Sequence, residues 1–320
     1  DGVPPERGCE RALWRLADEP SPSPAPVELG AARLPLRVLV DPGIAADCLA
    51  GLARPFEDAL APVRAAGYAI EVLPLGNLGG VDRNAELLTR YVDQQPEDGA
   101  PLVLLGYSRG ASDVLEALIR TPSLRSRVAA FVAMAGTVNG SPLAEHRLSG
   151  LVLWGRYLPG AECGLEDGRG VEELRPAVRL GQRAPIPGLP TYSVVTFIDR
   201  AEVSPILAPT WDILARIDAR NDGQVLAWDQ IVPGSTLLAL LRADHLMPIA
   251  PVGPRLPWWT RGFVSGEDFP RAAVLEAVLR IVEEDLLARS PCCGSTAVWA
   301  VSTASSTVCR AEQENCRHDP

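Results

Sequence analysis

The chain has 320 residues, a hydrophobic fraction of 47%, a charged fraction of 22% and a formal net charge of -10. That length carries a core of native size in one large α/β domain or two small ones, and that composition excludes a disordered chain. The acidic balance disfavours nucleic acid, whose phosphates demand a basic face, and no apolar run reaches the roughly 18 residues a membrane helix needs.

Residues 1–33 contain "PSPSPAP", a stiff extended stretch expected to wrap the surface before the core begins. From Leu34 a regular alternation sets in. "LPLRVLVD" reads as a strand, "ARPFEDALAPVRAAG" as a helix stopped by glycine, "YAIEVLPL" as a strand and "GVDRNAELLTRYVDQQ" as a helix. "APLVLLGY" and "RGASDVLEALIRT" repeat the pair, and "RVAAFVAMAG" is a further strand. Residues 137–190, rich in Gly, Pro and charge, interrupt the rhythm and predict a cap or lid with a short helix near 170–181. "TYSVVTFI", a helix near "PTWDILARI", the strand "STLLALLRA" and the long helix "FPRAAVLEAVLRIVEEDLLAR" complete the set. Short apolar runs alternating with amphipathic helices predict an α/β fold, a mostly parallel sheet covered on both faces. The catalytic domain is expected over 34–290, followed by a tail over 291–320.

Seven cysteines are present (Cys9, Cys48, Cys163, Cys292, Cys293, Cys309 and Cys316), four of them in the last 30 residues. Their spacing is not a tandem C-x-x-C metal pattern. With Asp1 rather than Met at the start, they predict disulfides and an exported protein, periplasmic or secreted. A bridge from Cys48 to Cys9 or Cys163 would pin the loop after the first strand.

The chemistry gathers at Gly106-Tyr107-Ser108-Arg109-Gly110, between an apolar strand and a helix. A G-x-S-x-G in that context holds its serine on a tight turn, where a Cβ at 106 or 110 would clash with adjacent backbone. The following helix aims N–H groups and a positive dipole end at a developing oxyanion. A serine hydroxyl needs a base, and the base an orienting carboxylate. Only three histidines exist: His146 in the interruption, His318 near the end, and His245 just beyond a strong strand. His245 is therefore the expected base. The acid must fall between 108 and 245. Asp222, in the turn dipeptide Asp222-Gly223, is preferred over Asp229, the main rival, over Asp218 in the same segment, and over Asp199. For the oxyanion, backbone N–H groups are expected from Arg109 and from Ile44, with Gly43 an alternative, because Pro42 has no donor.

The ordered set Pro42-Gly43-Ile44, Gly106-Tyr107-Ser108-Arg109-Gly110, Asn221-Asp222-Gly223 and Asp244-His245 resembles bacterial lipases and esterases of the α/β-hydrolase superfamily. "MAGTVNGSPLAE" is similar to their "GSPLAD"-type segment, and "NDGQV" to the "NDGLV" that carries the acid in some of them. The resemblance covers roughly residues 34–290. It implies an α/β-hydrolase fold and carboxyl-ester hydrolysis through an acyl-enzyme, on a small-molecule or lipid ester, without metal or organic cofactor. Thioesterase, acyltransferase and peptidase chemistry use the same constellation, and a non-catalytic binding member is the remaining alternative. Two departures stand out. The usual His-Gly is Pro42-Gly43 here, and Arg109 replaces the more frequent Gln, His or Met, which places a cation beside the nucleophile either for an anionic substrate or for a local carboxylate. The segments "GLVLWGRYLPG" and "LPWWTRGF" are expected to line or cap an acyl pocket.

Overall fold

The structure, a computed structural model, describes residues 8–20, 29–43, 54–75, 80–145, 169–251 and 261–289. Six strands form one parallel sheet: β1 (Arg37–Asp41), β2 (Ala69–Val72), β3 (Leu102–Tyr107), β4 (Val128–Met134), β5 (Thr191–Phe197) and β6 (Thr236–Arg242). Around them lie α1 (Cys9–Ala12), α2 (Glu57–Ala65), α3 (Val81–Asp93), α4 (Arg109–Arg120), α5 (Pro122–Arg127), α6 (Arg169–Glu172), α7 (Pro176–Gln182), α8 (Ala208–Leu214) and α9 (Arg271–Arg289).

Successive strand residues point to opposite faces, and each face carries its own core. Val38 and Val40 of β1, with Val103, Leu105 and Tyr107 of β3, pack on one side against Val63 of α2 and Leu275, Val278 and Leu279 of α9. Leu39, Leu102 and Leu104 face the other way, onto Leu88 and Val92 of α3 and Val114, Leu115 and Leu118 of α4. The buried positions of α3, Val81, Ala85, Leu88 and Val92, recur at the helical spacing that makes one apolar stripe. Both faces of the central strands are covered, which is why they read as unbroken apolar runs.

The strand order is β2-β1-β3-β4-β5-β6. The chain thus builds outward from β1 on one side, then returns to place β3 beside β1 and builds outward on the other. At such a reversal the loops leaving the carboxyl ends of the two central strands diverge and open a crevice. Those loops begin at Pro42 and Ser108.

Several elements differ from expectation at their ends or in number. The predicted helix over 170–181 is two helices, because residues 173–175 form a turn before Pro176, which starts α7. Helix α5 was not expected. It is a short helix opened by Pro122, with one buried apolar side chain, Leu124, and so it has no amphipathic period to read. In the N-terminal region Leu13 bridges Leu241 of β6, Trp14 stacks on Phe197 with centroids 5.0 Å apart, and the edge of the sheet is partly covered. Ile44, His146, Cys48, Cys163, Cys292, Cys293, Cys309, Cys316 and His318 lie outside the described residues, as do "GLVLWGRYLPG" and most of "LPWWTRGF". Phe263, at the end of the latter segment, is 54% exposed.

Candidate active site

Strand β3 runs straight into α4 with one residue between them, and that residue is Ser108. The reversal forces its backbone to φ 55 and ψ -125, a region L-residues seldom occupy. Its neighbours hold it there. The Ser108 amide donates to Met134 O at 3.1 Å, and its carbonyl accepts from the amides of Ala111 (3.2 Å) and Thr137 (3.0 Å). The flanking glycines are sterically required: a Cβ at Gly106 would sit 2.5 Å from Ala111 Cα, and one at Gly110 would sit 2.3 Å from Asp41 O.

His245 lies in the loop after β6, at the same end of the sheet. Its Nε2 is 2.8 Å from Ser108 Oγ and its Nδ1 is 2.7 Å from Asp222 Oδ2. An ionised carboxylate only accepts, so Nδ1 carries the proton and Nε2 is left to accept from the serine hydroxyl. Asp222 is 0% exposed and its acceptor sites are filled. Oδ1 accepts from the amides of Gln224 and Val225 at 2.9 and 2.7 Å, and Oδ2 accepts from Thr196 Oγ1 at 2.6 Å as well as from the imidazole. The sequence candidates Ser108, His245 and Asp222, 137 residues apart at their extremes, therefore meet in series.

The rival carboxylates sit elsewhere. Asp229 accepts from Asn139 Nδ2 at 3.3 Å, and burial raises its pKa above the ordinary carboxylate value. Asp199 pairs with Arg242, and Asp218 with Arg220. The neighbour of Asp229, Gln230, reaches the site instead: its Oε1 accepts from the Thr196 amide at 2.7 Å and its Nε2 is 3.5 Å from Asp222 Oδ2.

Three supporting residues carried no assigned role at the level of sequence. The Tyr107 hydroxyl donates to the carbonyl of His245 at 2.5 Å. Asp244, buried, accepts from the amides of Ser204, Leu246 and Met247 and so shapes the loop that presents the imidazole. Thr196 holds Asp222. Each has a faint sequence signal: an aromatic immediately before the serine, an acid immediately before the histidine, and a hydroxyl inside an apolar strand.

Arg109 differs from one of its two expected roles. It is 1% exposed, with Nε 3.4 Å from Asp113 Oδ1, so its guanidinium serves a local carboxylate and does not face a substrate. It belongs to a buried polar cluster under α4. Asn84 Nδ2 donates to Asp113 Oδ2 at 2.7 Å, and Arg179 of α7 lies 3.8 Å from Glu116. Burial pushes the Asp41 and Asp113 carboxyl groups up, with the Arg109 charge opposing in both cases. The expected alternative donor Gly43 is committed as well: its amide donates to Asp41 Oδ1 at 3.0 Å. Among the described residues, no group of three or more His, Cys, Asp or Glu side chains is placed to hold a metal ion, and no helix is long and apolar enough to cross a membrane.

Among solved structures, the chain is similar to a metagenomic carboxyl esterase, MGS0156, at 38% identity and a TM-score of 0.79, over 88% of this chain and 86% of that one. It shares its fold with the mature lipase BlEst2 of Bacillus licheniformis, at 17% identity and a TM-score of 0.55 over 81% and 96% of the two chains. The same holds for EstA of Clostridium botulinum, at 12% identity and a TM-score of 0.51 over 83% and 95%. No protein-family model matches the chain, and no curated protein matches it.

Proposed function

The chain belongs to the carboxyl esterases and lipases of the α/β-hydrolase superfamily, and from that premise we propose that Ser108, His245 and Asp222 carry its hydrolysis of carboxylic esters. The observation that supports these roles is the unbroken hydrogen-bond series from Ser108 Oγ through both imidazole nitrogens to Asp222.

In this reading His245 Nε2 takes the hydroxyl proton as Ser108 Oγ attacks the acyl carbon, and the carbonyl π electrons move onto oxygen. Asp222 keeps the proton on Nδ1 and stabilises the imidazolium. The oxyanion is received by the backbone N–H of Arg109, at the positive end of α4, and by that of Ile44. Collapse of the tetrahedral intermediate breaks the C–O bond, and His245 returns the proton to the departing alcohol. Water, deprotonated by the same nitrogen, then cleaves the acyl-enzyme. The acyl-enzyme needs only these side chains and backbone amides.

Residues 34–290 are assigned to the catalytic domain, 137–190 to a cap- or lid-like insertion within it, and 1–33 and 291–320 to an N-terminal segment and a Cys-rich tail. The four cysteines of 291–320 support an exported, disulfide-bearing protein. Equal intact masses before and after reduction would remove that part of the reading.

Replacing the nucleophile tests the whole. Ser108→Ala is expected to abolish hydrolysis of short p-nitrophenyl esters while leaving the circular-dichroism spectrum of the folded chain intact. Turnover at the wild-type rate by that variant overturns the assignment.

A further inference from the structure

We propose that Asp41 is a positioning residue for ester hydrolysis: wedged between the loop after β1 and the start of α4, it holds the Gly43 amide and thereby keeps that loop seated against the turn that carries the Arg109 N–H. The inference rests on the reading above, in which Ser108 is the nucleophile and this loop lends a donor to the oxyanion.

Asp41 closes β1, after the apolar run Val38-Leu39-Val40, directly opposite Gly106 of β3 in the sheet register. It is 2% exposed, and so touches no substrate. A carboxylate at such a place is costly to bury and is retained only where specific groups receive it. Here an amide and a nearby cation receive it. The Gly43 amide donates to Oδ1 at 3.0 Å, and the Arg109 guanidinium lowers the cost of the negative charge. The start of α4 comes so close that a Cβ on Gly110 would lie 2.6 Å from Oδ1. Oδ2 has no hydrogen-bond partner among the described residues. Among the described residues, the side chain's hydrogen bond goes to the loop.

The held loop is itself pressed onto the elbow. Gly43 has φ +75, open to glycine at little cost, and a Cβ there would meet Tyr107 O at 2.5 Å and Arg109 N at 3.2 Å. The Gly43 amide is bound to Asp41 and is not free to serve the oxyanion. Asp41 therefore ties the loop, through Oδ1 and Gly43, to the first turn of α4, through its close approach to Gly110 beside the Arg109 donor. Oxyanion donors act only when their direction suits the tetrahedral intermediate, so loosening this tie lowers kcat and leaves KM nearly unchanged.

The experiment compares Asp41→Ala, Asp41→Asn and Ser108→Ala on a short p-nitrophenyl ester, with kcat and KM measured separately. Removal of a whole oxyanion donor costs on the order of 100-fold or more in kcat, so its misdirection in Asp41→Ala is expected to cost about ten-fold or more. Asp41→Asn keeps the shape and an oxygen acceptor for Gly43, and Arg109 keeps Asp113. It is expected to recover most of the lost kcat. Asp41→Ala with wild-type kcat, a loss confined to KM, or Asp41→Asn no better than Asp41→Ala each overturns the inference. Should Asp41→Ala fail to fold, Asp41→Leu fills the volume without an acceptor, and amide hydrogen exchange in the unmodified chain decides: Gly43 is expected to be protected, and rapid exchange overturns the contact. Ser108→Ala separates the two levels. If it retains turnover, the proposed function fails; if it is inactive while Asp41→Ala is normal, only the role of Asp41 fails.

Discussion

The imidazole of His245 is held by its backbone as firmly as by its ring. Its amide donates to Asp222 O at 2.9 Å and its carbonyl accepts the Tyr107 hydroxyl at 2.5 Å, so the residues before the nucleophile and around the acid both fix the base. Tyr107→Phe leaves a buried carbonyl without its donor, which costs about 1 kcal/mol of stability. It is also expected to lower kcat several-fold with little change in KM, as steady-state kinetics would register. Unchanged kcat would show that the backbone of His245 needs no such support. The acid offers a sharper contrast. Asp222→Asn presents an amide to Nδ1 and favours the wrong tautomer, with an expected loss of about 10⁴ in kcat. Asp229→Asn, whose side chain faces Asn139, is expected to leave turnover close to wild type. A loss of comparable size in Asp229→Asn would reassign the acid.

At the scale of elements, the turn from β3 into α4 is built from close approach. The backbone of Asp41 lies where a side chain on Gly110 would go, and α4 lies where one on Gly106 would go. Overpacking a tight interior typically costs about 1–3 kcal/mol, and the obstacles here are backbone atoms that cannot swing aside. Gly106→Ala and Gly110→Ala are expected to lose at least that much unfolding free energy, read as a lowered urea midpoint at unchanged m; wild-type midpoints would mean the elbow can open. The strand, the glycines and the helix were all legible, because each leaves a local mark: an apolar run, a missing side chain, a 3.6-residue period. The fate of the Arg109 side chain was not. Its partner Asp113 lies one turn along the same helix, but only the packing of α3 and α7 over that face buries both and turns the cation inward.

Over the whole molecule, the buried acids make stability depend on pH. Burial, the largest cause, raises Asp41 from 3.8 to about 6 and Asp113 from 3.8 to about 8. Above pH 3.8 the unfolded chain loses these protons first while the folded chain still holds them. Their contribution is therefore full below the unfolded value and is lost as pH rises through about 6 and then about 8. The thermal midpoint of Asp113→Asn, followed by circular dichroism, is expected to decline less over that interval than that of the wild type. Parallel curves would mean Asp113 keeps an ordinary carboxylate pKa.

The sequence by itself determined the alternation of strands and helices, the serine on its turn and the histidine beyond the last strand, since spacing and residue type carry these locally. It also favoured Asp222 over its rivals, through the Asp222-Gly223 turn, while leaving Asp229 open. Tertiary structure decided that Asp222 rather than Asp229 meets the imidazole, because strand β5 brings Thr196 beneath the 221–225 turn and so places one carboxylate and not the other. It also decided the strand order, which no local period encodes, and the company of buried charges under the elbow. Those contacts join residues far apart in the chain, and only closure of the sheet brings them within bonding distance.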